Sequence, residues 1–168
     1  MVTQPQFCVT ATAPKFLRTR TIHGTQYRFV TAKKEHFFGF KKEWRSKTTQ
    51  IFVSDIERTI IDGLRQPDYC GGLTEVAKGM WIKRDAINIP TALDYLLKIS
   101  SGAVLRRFGF LCSLYDIVPS SILELLKQQL TPTYQLLDPS LPKEGKYVAE
   151  WRVQLNVTEE ELLALTRT

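Results

Sequence analysis

Apolar and polar positions change their period twice along the chain. Phe7, Val9 and Ala11 alternate with Cys8, Thr10 and Thr12, the period of two expected of a strand with one buried face. The run from Thr21 to Val30 predicts a hairpin, because Gly24 tolerates the positive φ that a tight turn requires. Two further extended runs follow, Phe37 to Arg45 and Thr49 to Val53. Together they suggest a small antiparallel sheet whose polar side carries many of the basic residues.

From Ser54 the period lengthens to that of helices. Ile56, Ile60, Ile61 and Leu64 share one face, and Ser54 with Glu57 has the S-x-x-E spacing of a capping box. Pro67 and the Gly71-Gly72 pair break the chain before a second helix over Leu73 to Ile82, with Val76, Ala77 and Met80 inward. Asn88-Ile89-Pro90 opens a third, whose apolar set is Ala92, Leu93, Leu96 and Leu97. A fourth starts at Ser101 with a stripe of Val104, Phe108, Leu111 and Tyr115. Ser121 and Glu124 suggest another box before Leu125, Leu126 and Leu130, and Pro132 stops that helix. The tail returns to period two: Trp151, Val153, Leu155 and Val157 alternate with Arg152, Gln154 and Asn156 in a strand expected to run from Tyr147 to Val157. Thr158 and Glu161 then begin a terminal helix. Strands followed by a run of helices indicate an α+β fold: a small antiparallel sheet, formed by the N-terminal strands and the late one, on five to six helices. The expectation is one domain over 1–168, with a basic strand-rich part (1–53), a helical part (54–131) and a closing strand and helix (134–168).

Composition fits that fold, since 168 residues with 43% hydrophobic content can build a core without staples. Cys8, Cys70 and Cys112 are widely separated, so no zinc site or disulfide framework is expected. No apolar run reaches the roughly 20 residues that cross a bilayer, and no signal-peptide layout is present, which points to the cytoplasm and away from a membrane partner.

Charge changes the picture more. The net charge is +6, yet residues 1–50 hold ten Lys and Arg against Glu35 and Glu43, while the remainder is slightly acidic. Lys33, Lys34, Lys41, Lys42 and Arg45 are interleaved with His36, Phe37, Phe38, Phe40 and Trp44, a pattern suited to a polyanion-facing surface. Strand alternation assigns some of those rings to the core. Candidate catalysis is thin: His23 and His36 have no partner motif, Gly71-Gly72 lacks a phosphate-loop setting, and no cofactor is expected. The strongest enzymatic alternative is a metal-dependent nuclease built on Asp55, Glu57, Asp62, Glu75 and Lys78. Capping and ion pairing account for the same residues: Glu57 in its box, Asp55 at a helix start, Asp62 beside Arg58 and Arg65, and Glu75 with Lys78 as a surface pair.

The segment Val53 to Asp62, followed by Pro67, Tyr69, Cys70, Gly71 and Gly72, resembles the core motif of AbiEi-type antitoxins of type IV toxin–antitoxin systems. Tyr27 to Val30 with Phe37-Phe38-Gly39, Ala103 to Leu111, and Trp151 to Asn156 extend the resemblance in order over roughly residues 5 to 157. It implies a non-enzymatic antitoxin that opposes a nucleotidyltransferase-like toxin and regulates its operon by binding DNA. Members usually begin with a winged helix-turn-helix domain, whereas the likeness here begins beyond it; the chain is either the C-terminal domain of such a protein or a short member. Phosphate attraction is therefore expected more than base reading. Ser54, Glu57, Arg58, Asp62, Gly71 and Gly72 form the structural motif. Arg106 and Arg107 join the candidate nucleic-acid or partner contacts, with a structural role left open. A DNA-binding regulator without a toxin is the other alternative.

Overall fold

The computed structural model describes the backbone of residues 8–13 and the whole of residues 17–167. Phe7 lies outside them, so the first strand's expected inward face is not described. The chain divides into two compact units, Met1–Phe38 and Gly39–Thr168, with the boundary upstream of the strand-to-helix transition at Ser54.

In the first unit, β1 (Cys8–Ala13) pairs in parallel with β3 (Thr25–Thr31), whose other edge takes β2 (Arg20–Ile22) antiparallel. The β2–β3 hairpin closes through His23 and Gly24 with φ of 50° and 78°. Two successive positive φ values define the tight turn that matches the twist of paired strands, and the glycine adopts its value without penalty.

The second unit opens with a separate hairpin, β4 (Phe40–Trp44) against β5 (Gln50–Ser54). Helices α1 (Ile56–Arg65), α2 (Leu73–Lys83), α3 (Ile89–Ile99), α4 (Gly102–Leu114) and α5 (Ser120–Lys127) follow. The chain closes with β6 (Gln135–Leu136), β7 (Lys146–Val148), β8 (Val153–Leu155) and α6 (Glu159–Ala164). The fold is α+β. Among the described residues, however, its strands form three small sheets, and the late strand, β8, joins β6 and β7 instead of the N-terminal ones. The run expected as one strand from Tyr147 to Val157 is itself a hairpin. Arg152 takes φ 52°, the chain reverses, and Val148 comes to face Val153.

Helix α1 is central, packing on α2, α3 and α4. Ile61, Leu64, Leu73, Met80, Val104, Phe108, Leu111, Val153 and Leu162 form the fully buried core around it. The apolar stripes anticipate that core, Leu126 included, with local exceptions: Leu97 and Leu125 point to solvent, while Ile99 turns inward.

Helix starts follow a stricter rule than the spacing of Ser and Glu. Ser54 remains in the β5 ladder opposite Phe40, so Asp55 is the first residue free to cap α1, and its Oδ1 accepts from Arg58 N at 2.7 Å. The expected Ser54–Glu57 box does not form. Ser54 Oγ meets Thr59 Oγ1 at 2.7 Å, and Glu57 Oε1 accepts from Asn88 N at 2.7 Å. Pro119 takes the N-cap position of α5, so the Ser121–Glu124 box is absent as well and Glu124 pairs with Lys127 at 2.8 Å. At α6 the box is complete: Glu161 N donates to Thr158 Oγ1 at 3.1 Å, and Thr158 N to Glu161 Oε2 at 2.8 Å. The bond from Thr158 N, then the Thr158 side chain, holds the Glu161 carboxyl below its ordinary pKa.

Candidate nucleic-acid interface

The β4–β5 hairpin begins at Gly39, which has φ +73°, and a Cβ there would sit 2.8 Å from Arg58 Cβ and 2.9 Å from the Tyr95 ring. Only glycine allows the strand to start so close to α1 and α3. Asp55 N donates to Gly39 O at 2.9 Å, which ties the hairpin's two ends together beside the helix start. The Tyr95 hydroxyl donates to Asp55 Oδ2 at 2.8 Å; burial, then that bond, push the phenol up to about 12. One carboxylate thus caps α1 and holds α3.

The register separates the hairpin's two faces. Phe40, Lys42, Trp44, Gln50, Phe52 and Ser54 share one, while Lys41, Glu43, Ile51 and Val53 share the other. On the second face Lys41 pairs with Glu43 at 2.9 Å, and both border a groove of about 530 Å³ lined with Val53, Ile56, Ile60, Val76 and Met80. On the first face Trp44 and Phe52 are 65% and 70% exposed, and the Lys42 ammonium lies 5.8 Å from the centre of the Phe52 ring. Of the rings interleaved with the lysines, some of which alternation assigned to the core, Phe37, Phe40 and Trp44 are exposed and Phe38 is half-buried; Phe52 is exposed as well. Arg45 and Lys47 occupy the connecting turn, where Ser46 Oγ accepts from Thr48 N and Thr49 N at 3.3 and 3.1 Å. Among the described residues Lys42, Arg45 and Lys47 make no salt bridge.

The other candidate cations fall elsewhere. Lys33 and Lys34 belong to the first unit, at the start of a 3₁₀ turn (Lys34–His36), with Lys33 3.6 Å from Glu35. Arg106 and Arg107 are only 2% and 4% exposed, so they are not surface contacts in this structure. Arg106 donates to Gly102 O at 2.7 Å and to Thr131 O and Oγ1 at 2.8 and 2.7 Å. Arg107 donates to Leu64 O at 2.7 Å and twice to Leu136 O, at 3.2 and 3.0 Å. Burial, foremost, lowers both guanidinium pKa values, and each side chain serves as a planar fork of donors for backbone carbonyls.

The motif acids have similar tasks. Arg58, itself buried, holds Asp62 at 2.7 Å. Gly71 and Gly72, with φ of 87° and 103°, make the expected turn, and Gly72 N donates to Pro67 O at 2.8 Å. No side chain of that turn caps α2. Asp138 does so from a distance of 65 residues: its Oδ2 accepts from Leu73 N at 2.9 Å, and its Oδ1 accepts from Ser140 N and from the Ser140 hydroxyl. Burial alone would raise the Asp138 pKa; the Ser140 and Leu73 bonds and the nearby Arg107 charge outweigh it and hold the carboxyl low. Asn156 fixes the same segment, accepting from Asp138 N at 2.9 Å and donating to Asp138 O at 2.7 Å. The Asp138 bond to Leu73 N and the Tyr95 bond to Asp55 give no signal in sequence, because the partners lie 65 and 40 residues away. Among the described residues no three His, Cys, Asp or Glu side chains converge as metal ligands would, and no helix is long and apolar enough to cross a membrane. Compared with protein-family models, curated proteins and solved structures, the chain matches none.

Proposed function

We propose that this chain works by contact, as a non-enzymatic antitoxin-type regulatory domain that opposes a nucleotidyltransferase-like toxin and adds phosphate-backbone affinity for operon DNA. The observation that carries the reading is the β4–β5 hairpin, exposed along both strands, with Lys42, Arg45 and Lys47 outside any salt bridge among the described residues. Cations held in this way attract polyanions at long range and release counterions when they meet phosphate. The residues of the AbiEi-like motifs have framework tasks: Asp55 caps, Glu57 holds α3, Asp62 pairs with Arg58, and Arg107 ties α1 to β6. The resemblance therefore speaks for a shared scaffold, and partner recognition is assigned to the exposed hairpin. A cytoplasmic setting accompanies this reading.

Two experiments test it. Growth of cells arrested by a nucleotidyltransferase-like toxin encoded beside this chain should recover when the chain is co-expressed; continued arrest with both proteins accumulating overturns the antitoxin role. Retention on duplex DNA at low salt should fall when Lys41, Lys42 and Arg45 are reversed to Glu, and fall further when Lys33 and Lys34 are reversed too. The logarithm of the binding constant should decline linearly with that of salt, with a slope of about 0.9 per phosphate contacted. Unchanged retention in the reversed variants removes the DNA role.

A further inference from the structure

We infer that the Phe40–Lys42–Trp44–Phe52 face of the β4–β5 hairpin binds single-stranded nucleic acid, with bases stacked on Trp44 and Phe52 and the backbone held by Lys42, Arg45 and Lys47. This rests on the polyanion reading above and names the ligand class of that site. Two rings exposed at 65% and 70% on one face of a two-stranded ribbon are a large apolar area to leave in water. Their placement is regular. Lys42 lies opposite Phe52, and Trp44 opposite Gln50, so Trp44 and Phe52 are diagonal neighbours on the same face, about 7–8 Å apart at the backbone. Adjacent bases can each meet a ring. The reverse face carries the Lys41–Glu43 pair and borders the groove beside α1 and α2, whereas the Trp44 face presents the hairpin's two most exposed rings.

Charge decides among possible occupants. Lys42 lies level with the rings, within 5.8 Å of Phe52, and any surface that covers the rings must also satisfy that ammonium. A bilayer interface could take the rings and leave the ammonium at its headgroups, but it offers no flat π-face for either ring to stack on. A second copy of this face would supply no carboxylate for Lys42, because the face carries no acidic residue. A nucleic-acid strand supplies a π-face for each ring and a phosphate for each cation, and Arg45 and Lys47 extend the cationic track along the turn. A duplex hides its base faces in the stack, so it can use the cations but not the rings.

Fluorescence anisotropy of the full chain with a labelled mixed-sequence 12-mer, as DNA, as RNA and as the corresponding DNA duplex, tests this. The expected result is single-strand binding about tenfold or more tighter than duplex binding. Trp44→Ala and Phe52→Ala should each weaken the single strand about 5- to 100-fold and leave the duplex within about twofold, whereas Lys42→Glu should weaken all forms. Both rings are exposed, and an unchanged circular-dichroism melt verifies that the variants fold. A loss in either the DNA or the RNA arm supports the inference, and their ratio identifies the source. Duplex binding that responds to Lys42→Glu, with no effect of the ring variants, overturns stacking while the polyanion reading stands. Absence of binding to every oligonucleotide overturns both. Sedimentation with anionic phosphatidylserine vesicles, or a dimer abolished by Trp44→Ala, without oligonucleotide binding, reassigns the face and overturns it.

Discussion

Gly109 sits in the middle of α4 with no room for a side chain: a Cβ would fall 2.0 Å from the Trp151 ring, which is almost completely buried. Neither partner can move freely, because the indole is enclosed and α4 is buried along most of its length. Gly109→Ala should therefore destabilise the protein by about 1–3 kcal/mol despite alanine's better helix propensity, which a chemical denaturation curve can measure. Arg107 presents a different kind of dependence. Arg107→Ala would leave Leu64 O and Leu136 O without their donors inside the protein, at an expected cost of about 2–5 kcal/mol by the same assay. Arg107→Lys should recover little of it, since an ammonium cannot reproduce a planar fork that reaches two carbonyls on different elements. The sequence identifies Arg107 as notable but not as buried. Nothing local marks an arginine whose partners lie 43 and 29 residues away.

Elements were legible where their signal is local. The helix segments, the turn at Gly24, the helix starts at Asn88 and Ser101, the capping box at Thr158 and the stripe on α4 follow from spacing alone. Alternation at Trp151, Val153, Leu155 and Val157 correctly marks which side chains are buried, yet it cannot register the reversal at Arg152 that makes two strands of one run. The start of α2 shows the same limit. Gly72 offers no side chain, so the helix depends on Asp138, and the bond is worth most while that carboxyl is ionised. Its pKa is lowered on folding, so its contribution is complete above the unfolded carboxyl value near 4 and fades as pH falls through the lower folded value. Asp138→Asn should cost about 1–3 kcal/mol at neutral pH, and the gap from the parent protein should narrow on acidification below about pH 4. Thermal melts of both proteins across that range decide it. A constant gap would mean that the neutral amide fails for reasons of shape and not of charge.

For the whole molecule, the distribution of burial matters more than the number of elements. Every fully buried apolar side chain among the described residues lies between Ile60 and Leu162, inside the second unit, whereas the described side chains of the first unit are half-buried or exposed. Hydrophobic burial should thus make residues 39–168 the cooperative core. A fragment of those residues should unfold in one transition with a Tm within a few degrees of the full chain, and a broad, non-cooperative melt would refute that division. The same core fixes the alkaline limit. Tyr95 and Tyr115 are both pushed up to about 12, chiefly by burial, against about 10 in an unfolded chain. The folded state thus favours the neutral phenols; their stabilisation is complete below about pH 10 and is lost as pH rises toward 12. Tyr115 also donates to Leu162 O at 3.1 Å, the contact that joins the end of α4 to the closing helix, so ionisation there removes a donor from the buried core. Both tyrosines belong to the second unit, so the isolated fragment should reproduce the full chain's loss of stability between pH 10 and 12. Tyr115→Phe should be less stable at neutral pH by about 1 kcal/mol and lose less over that interval, because one of the two phenols no longer titrates.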